Sequence, residues 1–446
     1  MKESVYRKVL VLSLPIALQN IFSTAVSSAD VIMIGYVSQD ALSAVSLAGQ
    51  IQFVLNLIFL GLTLGTSLMC AQYWGKRDMV TIERILGLVL KVGLIIAAVF
   101  FIGACFFSNM LMRIFTNDKV LIDYGVIYLR IVGISYLFMG VSQVFQSVMK
   151  AVQQVGRSTL IGTCALVLNI VFNAIFIFGW FGLPKMGVAG VALGTLLSRF
   201  IECMWCLLES QFGNRVKIRL CCIFSRETEL ARDFWEYALP ITLNGVSWGS
   251  AFATYSVIMG HLGSDVVAAN SIATVARNFA MVGCNGLASG VGIYLGTLLG
   301  NEQLKKAEED ASKLVGVTFV LGILGGFLII AARPALLNVA NLSVQSRDYL
   351  SIMLYMNAGY VVAKALNTVG NNGVFCAGGD TRFGLICDTI DMWCFSVPLG
   401  FICAFVLKLA PMQVYFMLCL DELVKLPFMY KHYKNQKWVR NITKEI

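Results

Sequence analysis

Long apolar stretches alternate with short polar ones along the 446 residues. Bounded by charges, Gly or Pro, they predict spans near 10–36, 42–73, 87–108, 120–148, 159–181 and 187–208. Six more are predicted near 236–262, 267–299, 314–333, 349–375, 383–407 and 411–430. A helix needs about 20 apolar residues to cross a hydrocarbon core, so the expected fold is an all-α membrane protein with twelve transmembrane helices and almost no soluble domain. The longest polar interval, 209–235, carries Arg215, Lys217, Arg219, Arg226 and Arg232 with Phe224, Leu230 and Phe234 interleaved. It reads either as a partly amphipathic cytoplasmic linker or as an ordinary long loop.

An internal repeat sets the architecture. Adding 225 to each number from Leu14 to Gly75 aligns a second stretch without a gap, and 13 of the 62 pairs are identical. Pro15 pairs with Pro240, Gly61 with Gly286 and Gly65 with Gly290; apolar composition alone does not favour matches at rare Pro and spaced Gly. Six spans, an even number, separate the copies, so both run the same way across the membrane. The chain is therefore expected to divide into a six-helix lobe (1–208), a linker (209–235) and a second six-helix lobe with a tail (236–446). Parallel lobes of this kind place a cavity between them and permit alternating access by rocking. Pro15 and Pro240 read as kink or packing positions, and Gly61-x-x-x-Gly65 and Gly286-x-x-x-Gly290 as close helix packing.

Composition excludes other classes. With 58% apolar and 13% charged residues, against roughly 25% charged in soluble domains, the chain cannot cover a water-facing surface. Its net charge of +9 is a topology signal: of 34 Lys and Arg, twenty-four fall in segments on one side, six on the other and four within spans. That bias predicts both termini in the cytoplasm and an address in the plasma membrane, and it removes nucleic acid as a partner. Met1 to Ala29 has the look of a secretory signal, but the repeat includes this stretch and argues for its retention. The 13 cysteines lie mostly in apolar runs and read as packed thiols. Cys203-x-x-Cys206 sits mid-helix without a His or a second pair, which a metal or redox site would need.

The sequence resembles the multidrug and toxic compound extrusion (MATE) family of cation-coupled antiporters. The likeness rests on LPIALQNIFSTAVSSADVIMIG and LPITLNGVSWGSAFATYSVIMGHLG at the starts of the two lobes. LNIVFNAIFIFGWFG in the fifth span and GVFCAGGDTRFG with DTIDMW near the eleventh extend it over nearly the whole chain. It implies two lobes working by alternating access, with a coupling ion and no organic cofactor.

Asp30 is the acidic residue deepest in the first lobe, roughly 9 Å from the outer end of its span at 1.5 Å per residue. A carboxylate there costs about 2.5–3.5 kcal/mol to insert, so it faces a cavity or a partner. Burial favours the neutral acid and a bound cation the anion, which suits one group to exchange ions; a structural Asp is the alternative. The resemblance implies that Pro15 and Asp30 form the first-lobe coupling motif, joined by Asn169, Asn173 and Thr195. Asn173 stands where the family usually has Asp, which tilts the coupling ion from Na⁺ toward H⁺; no metal is expected beyond Na⁺ at this site. Without the resemblance, Asn169 and Asn173 read as helix–helix hydrogen-bonding groups.

The second lobe has Tyr255 in the place of Asp30. Some family branches carry a Glu in span seven and an Asp in span ten, whereas this chain has Trp248 and, near the second position, Lys364. Arg277, Lys364, Asp388 and Asp391 read either as ion-pairing groups, for example with Lys364 as the cation, or with Tyr255 as a substrate-recognition or gating patch; Asp421, Glu422 and Lys425 lie nearer the cytoplasmic end. Arg199 and Glu202, spaced i,i+3, are expected to neutralise one another. The function expected is secondary antiport, exporting amphipathic, cationic organic compounds against H⁺ or Na⁺. The alternative is a flippase for a lipid-linked anionic precursor, with Arg130, Arg199 and Arg277 as its basic residues. An enzyme is not expected, because no clustered His, Ser or paired carboxylates stand near a metal or nucleophile. The partners expected are small organic substrates and membrane lipid, for a monomer.

Overall fold

The computed structural model describes residues 4–213, 216–225, 227–339 and 342–444, apart from the side chains of Ser28, Val31, Ile32, Phe181 and Val339. Lys2, Arg215 and Arg226 of the charge map lie outside the described residues. Among these residues the chain is helical, with no strand, and twelve long helical runs follow one another. Helices 1 to 6 are Val5–Gly35, Gln39–Lys76, Met79–Phe106, Lys119–Ala151, Val155–Phe178 and Gly187–Phe212. Helices 7 to 9 are Thr228–His261, Ser264–Gly300 and Leu304–Val339. Helix 10 is Val344–Thr368 continued by the π-helical stretch Val369–Phe375, helix 11 is Thr381–Val406, and helix 12 is Pro411–Leu418 followed by Asp421–Lys434.

Several helices begin well before the apolar run that announced them. Helix 3 starts at Met79 because the Asp78 carboxylate caps it, accepting from the Thr81 N–H at 3.0 Å and the Thr81 hydroxyl at 2.6 Å. The polar start of helix 9 is held by Asp310, which accepts from Tyr294 at 2.8 Å and pairs with Lys313 at 3.1 Å. Hydropathy thus marks the part of a helix that meets lipid, while capping and pairing carry the helix beyond it. Among the described residues, nine of the twelve runs are by themselves long and apolar enough to span. The others are helices 7, 10 and 12; helix 10 carries Lys364, and helix 12 carries Asp421, Glu422 and Lys425.

The chain divides into two compact units, and the division passes through two helices. Leu18–Glu236 form one unit, while the chain up to Ala17 belongs with Tyr237 onward. In the first unit Phe59, Tyr136 and Phe145 fill the interior, and Gly93 and Gly140 leave room for the Phe59 ring, from which a Cβ on either would lie 3.3 Å. Much of the polar interval 209–235 is helical, since helix 6 runs to Phe212 and helix 7 starts at Thr228. Between them the short helix Leu220–Phe224 docks on helix 3. A Cβ at Gly87 would meet the Cys222 carbonyl carbon at 2.6 Å, and Glu83 pairs with Arg219 at 2.8 Å and accepts from the Lys217 N–H at 3.3 Å. Leu220 and Phe224 remain exposed, whereas Leu230 and Phe234 are buried.

In the second unit Leu350, Met353, Leu354 and Val361 of helix 10 pack against Ala269, Ala273 and Cys284 of helix 8 within one apolar core. Gly286 and Gly290 leave helix 8 bare where the start of helix 1 lies against it. A Cβ on Gly286 would come within 2.7 Å of the Ala17 Cβ, and one on Gly290 would collide with the Ser13 hydroxyl. Gly61 and Gly65, their repeat mates, are likewise buried. Pro15 and Pro240 lie inside continuous helices 1 and 7, each leaving one backbone bond unmade.

Candidate functional site

The first unit gathers Asp30, Asn169, Asn173 and Thr195 into one polar series. Asn169 and Asn173, four apart on helix 5, face the same way, and both are buried. The Asn173 amide donates to Asp30 Oδ1 at 2.8 Å and to Asn169 Oδ1 at 3.3 Å. Asn169 in turn donates to the Thr195 hydroxyl at 3.3 Å and the Ser198 hydroxyl at 3.4 Å, both on helix 6. Gly194 admits this contact, because a Cβ there would strike Asn173 Oδ1 and lie 2.9 Å from the Asn173 backbone nitrogen. Asn173 Oδ1 is buried and accepts no hydrogen bond.

Chemically, this is a carboxylate held by a neutral amide. The amide supports the anion without cancelling its charge, so the oxygen stays available to a proton or a cation. Ser198 was not among the expected residues; its signal is the i,i+3 spacing from Thr195, and its hydroxyl also donates to the Thr195 carbonyl at 2.9 Å. Several other polar groups of this unit are paired. Arg199 meets Glu202 at 2.7 Å, Glu202 also accepts from Gln146 at 2.7 Å, and Lys150 donates to Gln19 at 3.0 Å.

The second unit carries two polar assemblies. Tyr255 and Arg277 line one small cavity with Phe252, Tyr360 and Tyr415. The Arg277 guanidinium lies 5.2 Å from the Phe252 ring centre and 5.4 Å from that of Tyr360, with Asn357 and Thr274 at 3.5 Å. Lys364 sits 5.4 Å from the ring centres of both Trp248 and Tyr360. The two positions at which the chain departs from the acidic pattern therefore touch each other, as an aromatic–cation pair.

Asp388 and Asp391 belong to the other assembly. Their cation is Lys425, at 2.8 and 3.8 Å, while Lys364 approaches Glu422 at 3.9 Å. Asp388 also accepts from Asn244 at 2.8 Å and Asn371 at 3.3 Å. Asn244 was readable from the repeat, since it is the mate of Gln19, which serves Lys150 in the first unit.

Twelve helices in two repeated lobes, with polar groups held inside apolar spans, define an integral membrane transporter. The chain belongs to the MatE family, whose profile matches twice, over residues 15–175 and 240–402. The two matches begin at Pro15 and Pro240, separated by the same 225 residues that relate the repeats. It is 22% identical to the uncharacterized transporter YisQ of Bacillus subtilis over 96% of this chain and 94% of that one. It is 27% identical to the probable multidrug resistance protein NorM of Mesorhizobium japonicum, covering 90% and 87%. Among solved structures it resembles an outward-facing multidrug resistance MATE family transporter of the MOP superfamily. The TM-score is 0.88 at 20% identity, covering 98% of this chain and 97% of that one. A crystal structure of MATE in the straight conformation matches with the same score and identity, covering 98% of each.

Proposed function

We propose that this transporter is a secondary antiporter of the cytoplasmic membrane, with both termini inside, that exports amphipathic cationic organic compounds in exchange for H⁺. The observation that carries this reading is the hydrogen-bonded series from Asp30 through Asn173 and Asn169 to Thr195. Its one carboxylate is set in place by neutral groups, so ion and substrate occupancy can exclude each other as the lobes alternate. Relatives named as multidrug resistance proteins support the substrate class. The choice of H⁺ over Na⁺ follows from Asn173, because an amide oxygen offers a hard cation less charge than a second carboxylate.

The test is efflux from proteoliposomes. Asp30→Asn, nearly isosteric, is expected to abolish coupled efflux of organic cations while thermal stability stays near the parent. Collapsing the pH gradient at constant Na⁺ is expected to stop transport, and removing Na⁺ at constant pH to leave it intact. Full coupled efflux by the variant, or dependence on Na⁺ alone, refutes the assignment.

A further inference from the structure

One buried cluster of the second lobe sets four carboxylates against three cations. Asp388 and Asp391 of helix 11 and Asp421 and Glu422 of helix 12 lie among Lys425 of helix 12, Lys364 of helix 10 and Arg277 of helix 8. Apart from Asp391, each of these acids accepts at least one hydrogen bond. Asp388 has Lys425 and the amides of Asn244 and Asn371. Glu422 has Lys425 at 3.4 Å, Lys364 at 3.9 Å and the Asn367 amide at 2.8 Å. Asp421 accepts the Glu422 N–H at 2.7 Å and lies within electrostatic reach of Arg277.

Asp391 differs from these. It is 6% exposed, neither carboxylate oxygen accepts a hydrogen bond, and its approach to Lys425 is the longest of the three that share that ammonium. The other titratable groups facing it, Cys387 of helix 11 and Tyr255 of helix 7, bring no positive charge. A buried anion without hydrogen bonds is disfavoured far more than the neutral acid in the same place. A metal cation would have to settle beside Lys425 and be repelled by it; a proton removes the charge without that penalty. One proton on Asp391 brings four acids and three bases to neutrality. Asp391 also sits in a π-helical turn, Ile390–Ser396, a distortion that recurs at functional sites.

We propose that Asp391 is a proton-binding residue of the second lobe, holding one exchangeable proton within this buried cluster. The site stands whether or not Asp30 couples transport, and the experiment removes Asp30 from the reading. Infrared difference spectra between acid and alkaline pH are recorded on full-length Asp30→Asn protein in lipid. The expected result is a protonated-acid carbonyl band at acid pH that shifts in D₂O. Adding Asp391→Asn is expected to abolish the band and to lower proton release on an alkaline jump by one per molecule. Asp391→Glu, which keeps the acid if the amide variant folds poorly, is expected to restore a displaced band. An unchanged band and proton count with Asp391→Asn, or a band that Na⁺ abolishes at constant pH, overturns the proposal.

Discussion

At the scale of single residues, the first-lobe series depends on a side chain that is missing. Gly194 gives Asn173 the space from which it reaches Asp30, so Gly194→Ala is expected to displace the amide without touching the carboxylate. Losing a hydrogen bond to a charged group is worth about 1.5–3 kcal/mol, which corresponds to roughly ten- to a hundredfold in ion affinity. The apparent pH midpoint of coupled efflux reads that change, and an unaltered midpoint refutes the role given to Asn173. Asp30, Asn169, Asn173 and Thr195 were legible because polar groups are scarce inside spans and because they fit a family pattern. Gly194 was not legible, since a glycine in an apolar helix carries no mark of what it leaves room for. The partner of Asp388 was legible only as a charge of the right sign. Choosing Lys425 over Lys364 requires the way helices 10, 11 and 12 pack, which no spacing within one helix encodes.

At the scale of helices, each of the twelve stretches read from the sequence coincides with a long helical run, nine of them apolar enough to span among the described residues. Their polar extensions were not visible. The extensions are fixed by local pairs such as Asp78 with Thr81 and Asp310 with Lys313, too short in sequence to stand out from a charged loop. The short helix Leu220–Phe224 belongs to the same class. Its position is set by Gly87 and by Glu83, which binds Arg219. Gly87→Leu is therefore expected to lift it from helix 3, costing about 1–3 kcal/mol of stability as an overpacked contact. Trypsin cleavage at Lys217 and Arg219 is then expected to quicken severalfold in limited digestion. An unchanged rate means the segment is held elsewhere.

At the scale of the whole molecule, the repeat and the charge map are the strongest statements in the sequence, because each averages over many residues. The family profile falls on the same 225-residue offset. The orientation has a direct test in Cys221, which is exposed on the short linker helix. With the other cysteines replaced, a membrane-impermeant maleimide is expected to label Cys221 in inverted vesicles and not in intact cells; the opposite pattern reverses the topology. The division of the chain at Ala17 and Tyr237 also bears on how the protein is made. Ser13 and Ala17 seat against Gly290 and Gly286, which leave the ribosome about 270 residues later. At roughly 5–20 residues per second, the beginning of helix 1 spends on the order of tens of seconds in the bilayer without its packing partner. The halves therefore cannot be completed in turn: a nascent chain stopped after helix 6 leaves its first segment undocked and open to quality-control recognition, and the beginning of helix 1 finds its place only once helix 8 has been made.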